Sequence, residues 1–152
     1  MVMTLLAAIL SACAGERPKN LGVKGGVLAA CPSSPNCVSS FAGDEGHRIA
    51  PFSFTDEPEA AFARLTQMIR QRSDATIIEE GRGYLRVELR TTLFVDDAEF
   101  LLDGEKKVIH LRSASRLGYS DLGKNRSRVE EIRAGFQSGR ARIDLEKAVS
   151  RR

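Results

Sequence analysis

Residues 84–114 read YLRVELRTTLFVDDAEFLLDGEKKVIHLRSA, and the period of this stretch decides the fold. From Tyr84 to Arg90 the chain alternates, with Leu85, Val87 and Leu89 against Tyr84, Arg86, Glu88 and Arg90. A period of two belongs to a strand with one face in a core and the other turned outward. Phe94 to Leu102 and Lys107 to Ala114 follow as two more strands around Asp103-Gly104-Glu105-Lys106, a turn-forming run. Pairing Leu102 with Lys107 sets Phe100 against Ile109 and Ala98 against Leu111 on one face. The same register sets Glu99 against His110 and Asp97 against Arg112 on the other, so opposite charges meet.

Outward from this hairpin, Ala75 to Glu79 reads as a short strand that turns at Gly81-Arg82-Gly83. His47 to Phe54 reads as a first strand, with Ile49 and Phe52 inward. Between them lies a helix to about Arg72, with Phe62, Leu65 and Ile69 on one face. Thr55 or Asp56 is its expected N-cap, Glu59 completes a capping box, and Pro58 suits the first turn. A second helix is expected over about Leu122 to Phe136, with Leu122, Val129, Ile132 and Phe136 as its apolar stripe and Ser120 or Asp121 as its cap. The order β-α-β-β-β-β-α predicts an α+β domain: an antiparallel sheet of about five strands with two helices packed on one face.

Composition narrows the class. The chain has 152 residues, 42% hydrophobic and 28% charged, an ordinary balance for one globular domain. Trp is absent, so stacking platforms for bases or sugars are poorly supplied. The net charge of +3 sits wholly in residues 137–152, where five basic residues face two acidic ones. That segment reads as a solvated basic tail, and the balanced body argues against nucleic-acid binding.

Residues 1–12 read MVMTLLAAILSA. The apolar run from Leu5 to Leu10 is far shorter than the roughly 20 residues of a membrane-spanning helix and suits a secretory leader. Leu10-Ser11-Ala12-Cys13 has the lipobox order of a branched apolar residue, two small residues and a cysteine. The expectation is a signal peptide cut before Cys13, whose thiolate receives the diacylglycerol, with palmitate among the acyl chains of the anchor. The run departs from most such leaders in having no Lys or Arg at its start. Ala14 rather than Asp after the cysteine favours the outer membrane over the inner. Residues 13–30, rich in Gly, Lys and Asn, read as a lipidated tether, which leaves 31–136 as the folded domain.

Cys31 and Cys37 enclose Pro-Ser-Ser-Pro-Asn. In an oxidising compartment this spacing suits a structural disulfide, with Pro32 and Pro35 bending the loop. Three alternatives stay open: a redox pair, though no C-x-x-C is present, a zinc site, though His47 and His110 are the only histidines, and two reduced cysteines.

The densest polar stretch is Arg112-Ser-Ala-Ser-Arg-Leu-Gly-Tyr-Ser-Asp-Leu-Gly-Lys-Asn-Arg126, which leaves a strand and enters a helix. Its arginines and the helix N-terminus suit an anionic group. The candidate ligand-binding residues are Asp97, Glu99, His110, Arg112, Ser113, Ser115, Arg116, Tyr119, Asp121, Asn125 and Arg126. The competing reading pairs the arginines with Asp97, Asp121 and Glu130 and spends the hydroxyls on capping. A Ser-His-Asp reading of Ser113, His110 and Asp121 fails because Ser113 and His110 fall on opposite sheet faces and no nucleophile elbow is present.

Three motifs carry a resemblance: Cys-Pro-Ser-Ser-Pro-Asn-Cys-Val-Ser-Ser at 31–40, Phe-Val-Asp-Asp-Ala-Glu-Phe at 94–100, and the 112–126 segment. Together they closely resemble the family known as domain of unknown function 1499, from about Leu28 to Phe136. The resemblance implies a bacterial or plastid protein that is often lipid- or membrane-attached, and it implies no activity. The expected protein is therefore a lipoprotein anchored on the periplasmic side of a bacterial envelope. It is expected to serve as a binding or structural module, with the membrane and an envelope protein or small anionic ligand as partners, and no cofactor or metal. The alternative is an enzyme or receptor for a small anion at Arg112–Arg126, with Asp97 or Glu99 as acid or base.

Overall fold

A computed structural model describes residues 15–92 and 94–150. The leader expected over residues 1–12 and the lipidation expected at Cys13 lie outside the described residues. Six strands and two helices are described: β1 (Cys37–Ser39), β2 (Phe52–Ser53), α1 (Pro58–Arg70), β3 (Ala75–Gly81), β4 (Tyr84–Arg90), β5 (Val95–Asp103), β6 (Val108–Ser115) and α2 (Lys124–Ser150). The strands form one antiparallel sheet in the order β1-β6-β5-β4-β3, with β2 also on the outer edge of β6. This is the expected α+β class, with both helices on one face of the sheet.

The core lies between the helices and that face. Leu85, Val87, Leu89, Ala98, Phe100, Ile109 and Leu111 point into it from β4, β5 and β6. Phe62, Leu65 and Ile69 of α1 and Val129, Ile132 and Phe136 of α2 close it. At about 25 cal/mol per Å² of apolar surface removed from water, this burial is the main favourable contribution to the fold.

Several expectations are corrected. The hairpin of β5 and β6 pairs Asp103 with Val108, Phe100 with Leu111 and Glu99 with Arg112, one residue further along each strand than expected. His110 thus faces Leu101 and Asp97 faces Ala114. The face of every side chain is unchanged, because the slide on the two strands together preserves the period of two. Lys107, at φ 55°, belongs to the turn rather than to the strand.

The strand expected over His47–Phe54 reduces to Phe52–Ser53. Pro51 has no N–H to give a ladder, and Arg133 instead donates to the carbonyls of Ala50 and Pro51 at 2.6 and 2.8 Å. Conversely, Cys37–Ser39 is a strand, pairing with β6 from Arg112 to Ala114. Glu57, not Asp56, is the N-cap of α1, with no side-chain cap bond. The Asp56 carboxylate is taken by Arg64 and Arg140, which outcompete a backbone donor for it.

α2 starts two residues later than expected because Leu122 and Gly123 have φ of 53° and 77°, outside helical geometry. Leu122 is 93% exposed and so is not part of the apolar stripe. The segment after Phe136 is not a frayed tail. α2 continues to Ser150, through a run with no proline and good helix formers such as Ala141 and Ala148.

The stretch read as a tether also does not run free: residues 15–30 lie as a strap across the second face of the sheet. Pro18 O accepts from Arg86 at 2.9 Å, the Gly22 N–H donates to Glu99 at 2.7 Å, and Leu28 is buried. A disulfide between Cys31 and Cys37 fastens the end of the strap to β1. The charged face of the sheet needs partners out of water, and the strap supplies them.

Candidate functional site

Alternation in β4, β5 and β6 puts Tyr84, Arg86, Glu88, Asp97, Glu99, His110 and Arg112 on the face opposite the helices. In a bare sheet these would be solvated. Under the strap, Glu88, Asp97 and Glu99 are buried. Glu88 and Asp97 are direct cross-strand partners, an arrangement that repels unless a cation intervenes.

Arg116 is that cation. Its guanidinium grips both oxygens of Asp97 at 2.7 and 2.9 Å and reaches Glu88 Oε1 at 2.5 Å. Arg17 of the strap and Arg90 of β4 also bind Glu88, at 2.8 and 2.6 Å. Burial by itself would raise the Glu88 carboxyl, but the bonds from Arg116, Arg17 and Arg90 outweigh it and hold the group at about 2. The Asp97 and Glu88 carboxylates, bonding to Arg116, push its own ionisation up despite burial.

Glu99 is held differently. Its Oε1 accepts from the Tyr84 hydroxyl at 2.8 Å and from the Gly22 N–H, while its Oε2 is buried with no hydrogen-bond partner. Burial and then the bond to Glu99 push the Tyr84 hydroxyl well above its ordinary value. Arg112 lies opposite Glu99, but its ion pair to Oε2 spans 4.0 Å, too long for a hydrogen bond. The Arg112 side chain is 9% exposed, and its buried Nε has no partner. Burial lowers its ionisation, against the pull of Glu99 and Asp97.

Arg112 borders a cavity of about 340 Å³ between strap and sheet, walled also by Glu16, Pro18, Cys31, Asp97 and Arg116. A larger hollow of about 590 Å³ lies between α1 and the β3–β4 turn, but Arg70 and Glu80 on its wall pair with each other at 2.5 Å. Volume alone does not mark a site; converging polar groups with unmet bonding capacity do.

The other candidate residues separate from this cluster. Ser113 and Ser115 point toward α2, where both bond Asn125, which is fully buried. Asn125 also donates to Asn36 O at 3.2 Å and to Asp121 at 2.8 Å, so it ties α2 to the β1 edge. Asp121 accepts from the backbone N–H of Gly123 and Asn125 at 3.0 and 2.7 Å, the capping role expected of it. Arg126 donates to the carbonyls of Arg48 and Gly46 at 2.8 and 3.0 Å and so holds that loop. Tyr119 is 76% exposed. His110 lies further along the polar face, stacked on Phe41 at 4.2 Å with Nδ1 3.1 Å from the Ser40 hydroxyl. Burial lowers its ionisation.

So the sheet's polar face unites Asp97, Glu99, Arg112 and Arg116, while Ser113, Ser115, Asp121, Asn125 and Arg126 form a structural joint on the other side. Glu88, Arg86, Tyr84 and Arg17 complete the network and were not among the expected site residues. Their signal was present, since Arg86 and Glu88 alternate in phase with Asp97 and Glu99. No group of His, Cys, Asp and Glu suited to a metal ion occurs among the described residues, and no described helix is long and apolar enough to cross a membrane.

Fold and site together define a small α+β protein whose sheet buries an arginine–carboxylate network beneath its own N-terminal strap. A family model described as protein of unknown function (DUF1499) matches residues 27–136, and the chain belongs to that family. No curated protein and no solved structure matches it.

Proposed function

We propose that this chain is a lipid-anchored module of the bacterial envelope that binds a small anionic ligand at Arg112. One observation carries the binding reading. Arg112 is a buried guanidinium with an unpartnered Nε and only a 4.0 Å ion pair, and it faces a cavity. A buried cation without good partners is costly, and a ligand carboxylate or phosphate would satisfy it with charge-assisted bonds. Binding is favoured over catalysis because, of the two carboxylates expected as acid or base, Asp97 has both oxygens held by Arg116 and Glu99 is not among the residues that wall the cavity. The anchor rests on the Leu10-Ser11-Ala12-Cys13 order and places the module at the periplasmic face, by preference on the outer membrane.

Native mass spectrometry of the full chain extracted from bacterial membranes tests the ligand. The expected result is a co-purifying anion that is lost in Arg112→Lys, because Lys cannot reproduce a planar two-nitrogen contact. A Tm close to the parent's would show that the variant still folds. A parent spectrum with the mass of acylated chain alone would refute the ligand and leave the anchor standing.

A further inference from the structure

The end of the sheet where β4 runs out and β5 begins carries apolar side chains in water. Phe94 and Leu117 are nearly half exposed, Tyr119 76% and Leu122 93%. They belong to two loops, and Phe94, Leu117 and Leu122 line one open hollow of about 480 Å³ with Thr91, Ser120 and Lys124. Scattered single exposed apolar residues are ordinary, whereas a contiguous group marks an interaction surface. Leu122 sharpens the point. Its φ of 53° is uncommon for a residue with a side chain, and that backbone turns an isobutyl group into solvent.

The first described residue, Gly15, lies at this place. Gly15 packs so closely on Arg116 and Leu117 that a Cβ there would lie 3.0 Å from Arg116 Cβ and 3.1 Å from Leu117 Cγ. In the sequence Gly15 follows Cys13 by two residues. Lys124 lines the hollow with Asp96 and Asp121, of which Asp96 is buried against Arg128, and Arg17 and Arg90, each half exposed, pair with Glu88. Apolar and aromatic tips beside polar and charged groups match the boundary between acyl chains and headgroups, where Tyr is also enriched.

We infer that the tip formed by Phe94, Leu117, Tyr119 and Leu122 is a membrane-docking face, seated in the lipid surface that holds the acyl chains of Cys13. The inference rests on acylation of Cys13, as proposed above. Docking fixes the domain's orientation. The sheet stands away from the bilayer, and the hairpin turn at Glu105, some 25–30 Å along β5, faces the periplasm. The several acyl chains of Cys13 would hold the protein at the membrane by themselves, and insertion of the tip would set how the domain stands on it.

The absence of Trp from the sequence makes the test direct. Full-length Leu122→Trp and, separately, Glu105→Trp would be expressed with their own leader, extracted from membranes and reconstituted on phosphatidylethanolamine–phosphatidylglycerol vesicles. Mass measurement of the N-terminal peptide and vesicle flotation read the anchor, and quenching by brominated acyl chains reads the docking. The expected result is acylated, floating protein in which position 122 is blue-shifted and quenched at least about twofold while position 105 is not. Phe94→Trp should behave like position 122. Acylated, floating protein with position 122 unquenched would overturn docking and leave the anchor intact. Protein that is neither acylated nor floated would overturn both.

Discussion

Replacing Glu88 by glutamine should destabilise the fold by about 3 kcal/mol at neutral pH and remove the share of its acid sensitivity that Glu88 carries. The magnitude comes from the network under the strap. Glu88 is 1% exposed and accepts bonds from Arg116, Arg17 and Arg90. Those bonds, outweighing burial, bring its carboxyl from 4.5 to about 2, which corresponds to about 3 kcal/mol. A carboxyl whose folded value is depressed stabilises fully above its unfolded value and loses that stabilisation as the proton returns. The window therefore runs from pH 4.5 down to about 2. Glutamine keeps the shape but not the charge, and leaves Arg116 with Asp97 as its remaining acid. Urea unfolding followed by far-ultraviolet circular dichroism, at intervals from pH 7 to pH 3, measures both chains. The gap between parent and variant should be widest at pH 7 and close as the medium turns acid. A gap below about 1 kcal/mol at pH 7, or one that stays constant across the window, would refute the network as the source of stability.

Two further outcomes probe the other side of the sheet. Asn125→Ala removes bonds to Ser113, Ser115, Asn36 and Asp121 at once and should cost about 2–4 kcal/mol, read as a fall in Tm. Gly139→Ala should stabilise by about 0.5–1 kcal/mol, because position 139 is inside α2 and a Cβ there meets Arg64 Cδ at an ordinary 3.6 Å. An unchanged or lowered Tm for Gly139→Ala would contradict the continuation of α2 past Phe136.

Much of this molecule was legible from one dimension. Period two from Tyr84 to Arg90 and the helical stripe of Phe62, Leu65 and Ile69 assign faces to strands and helix, because the geometry of each element leaves no other way to bury its apolar residues. The Asp121 cap was readable from its place just before the helix, and the Cys31–Cys37 bond was the favoured of several readings of two cysteines six residues apart. The register of β5 against β6 was not, since sliding each strand by one residue keeps every side chain on its face and still pairs apolar with apolar. Cys37–Ser39 and Phe52–Ser53 are too short to show a period, and only the free edge of β6 makes them strands.

The polar site divides along the same line. Sequence alternation determined that Arg86, Glu88, Asp97, Glu99 and Arg112 share a face, but charged residues alternate alike whether water or protein covers them. Only the tertiary structure decided that residues 15–30 fold back over that face. That covering converts an ordinary solvated surface into a buried ionic network, because desolvation makes each charge depend on its partners. It also leaves Arg112 the least well partnered of them.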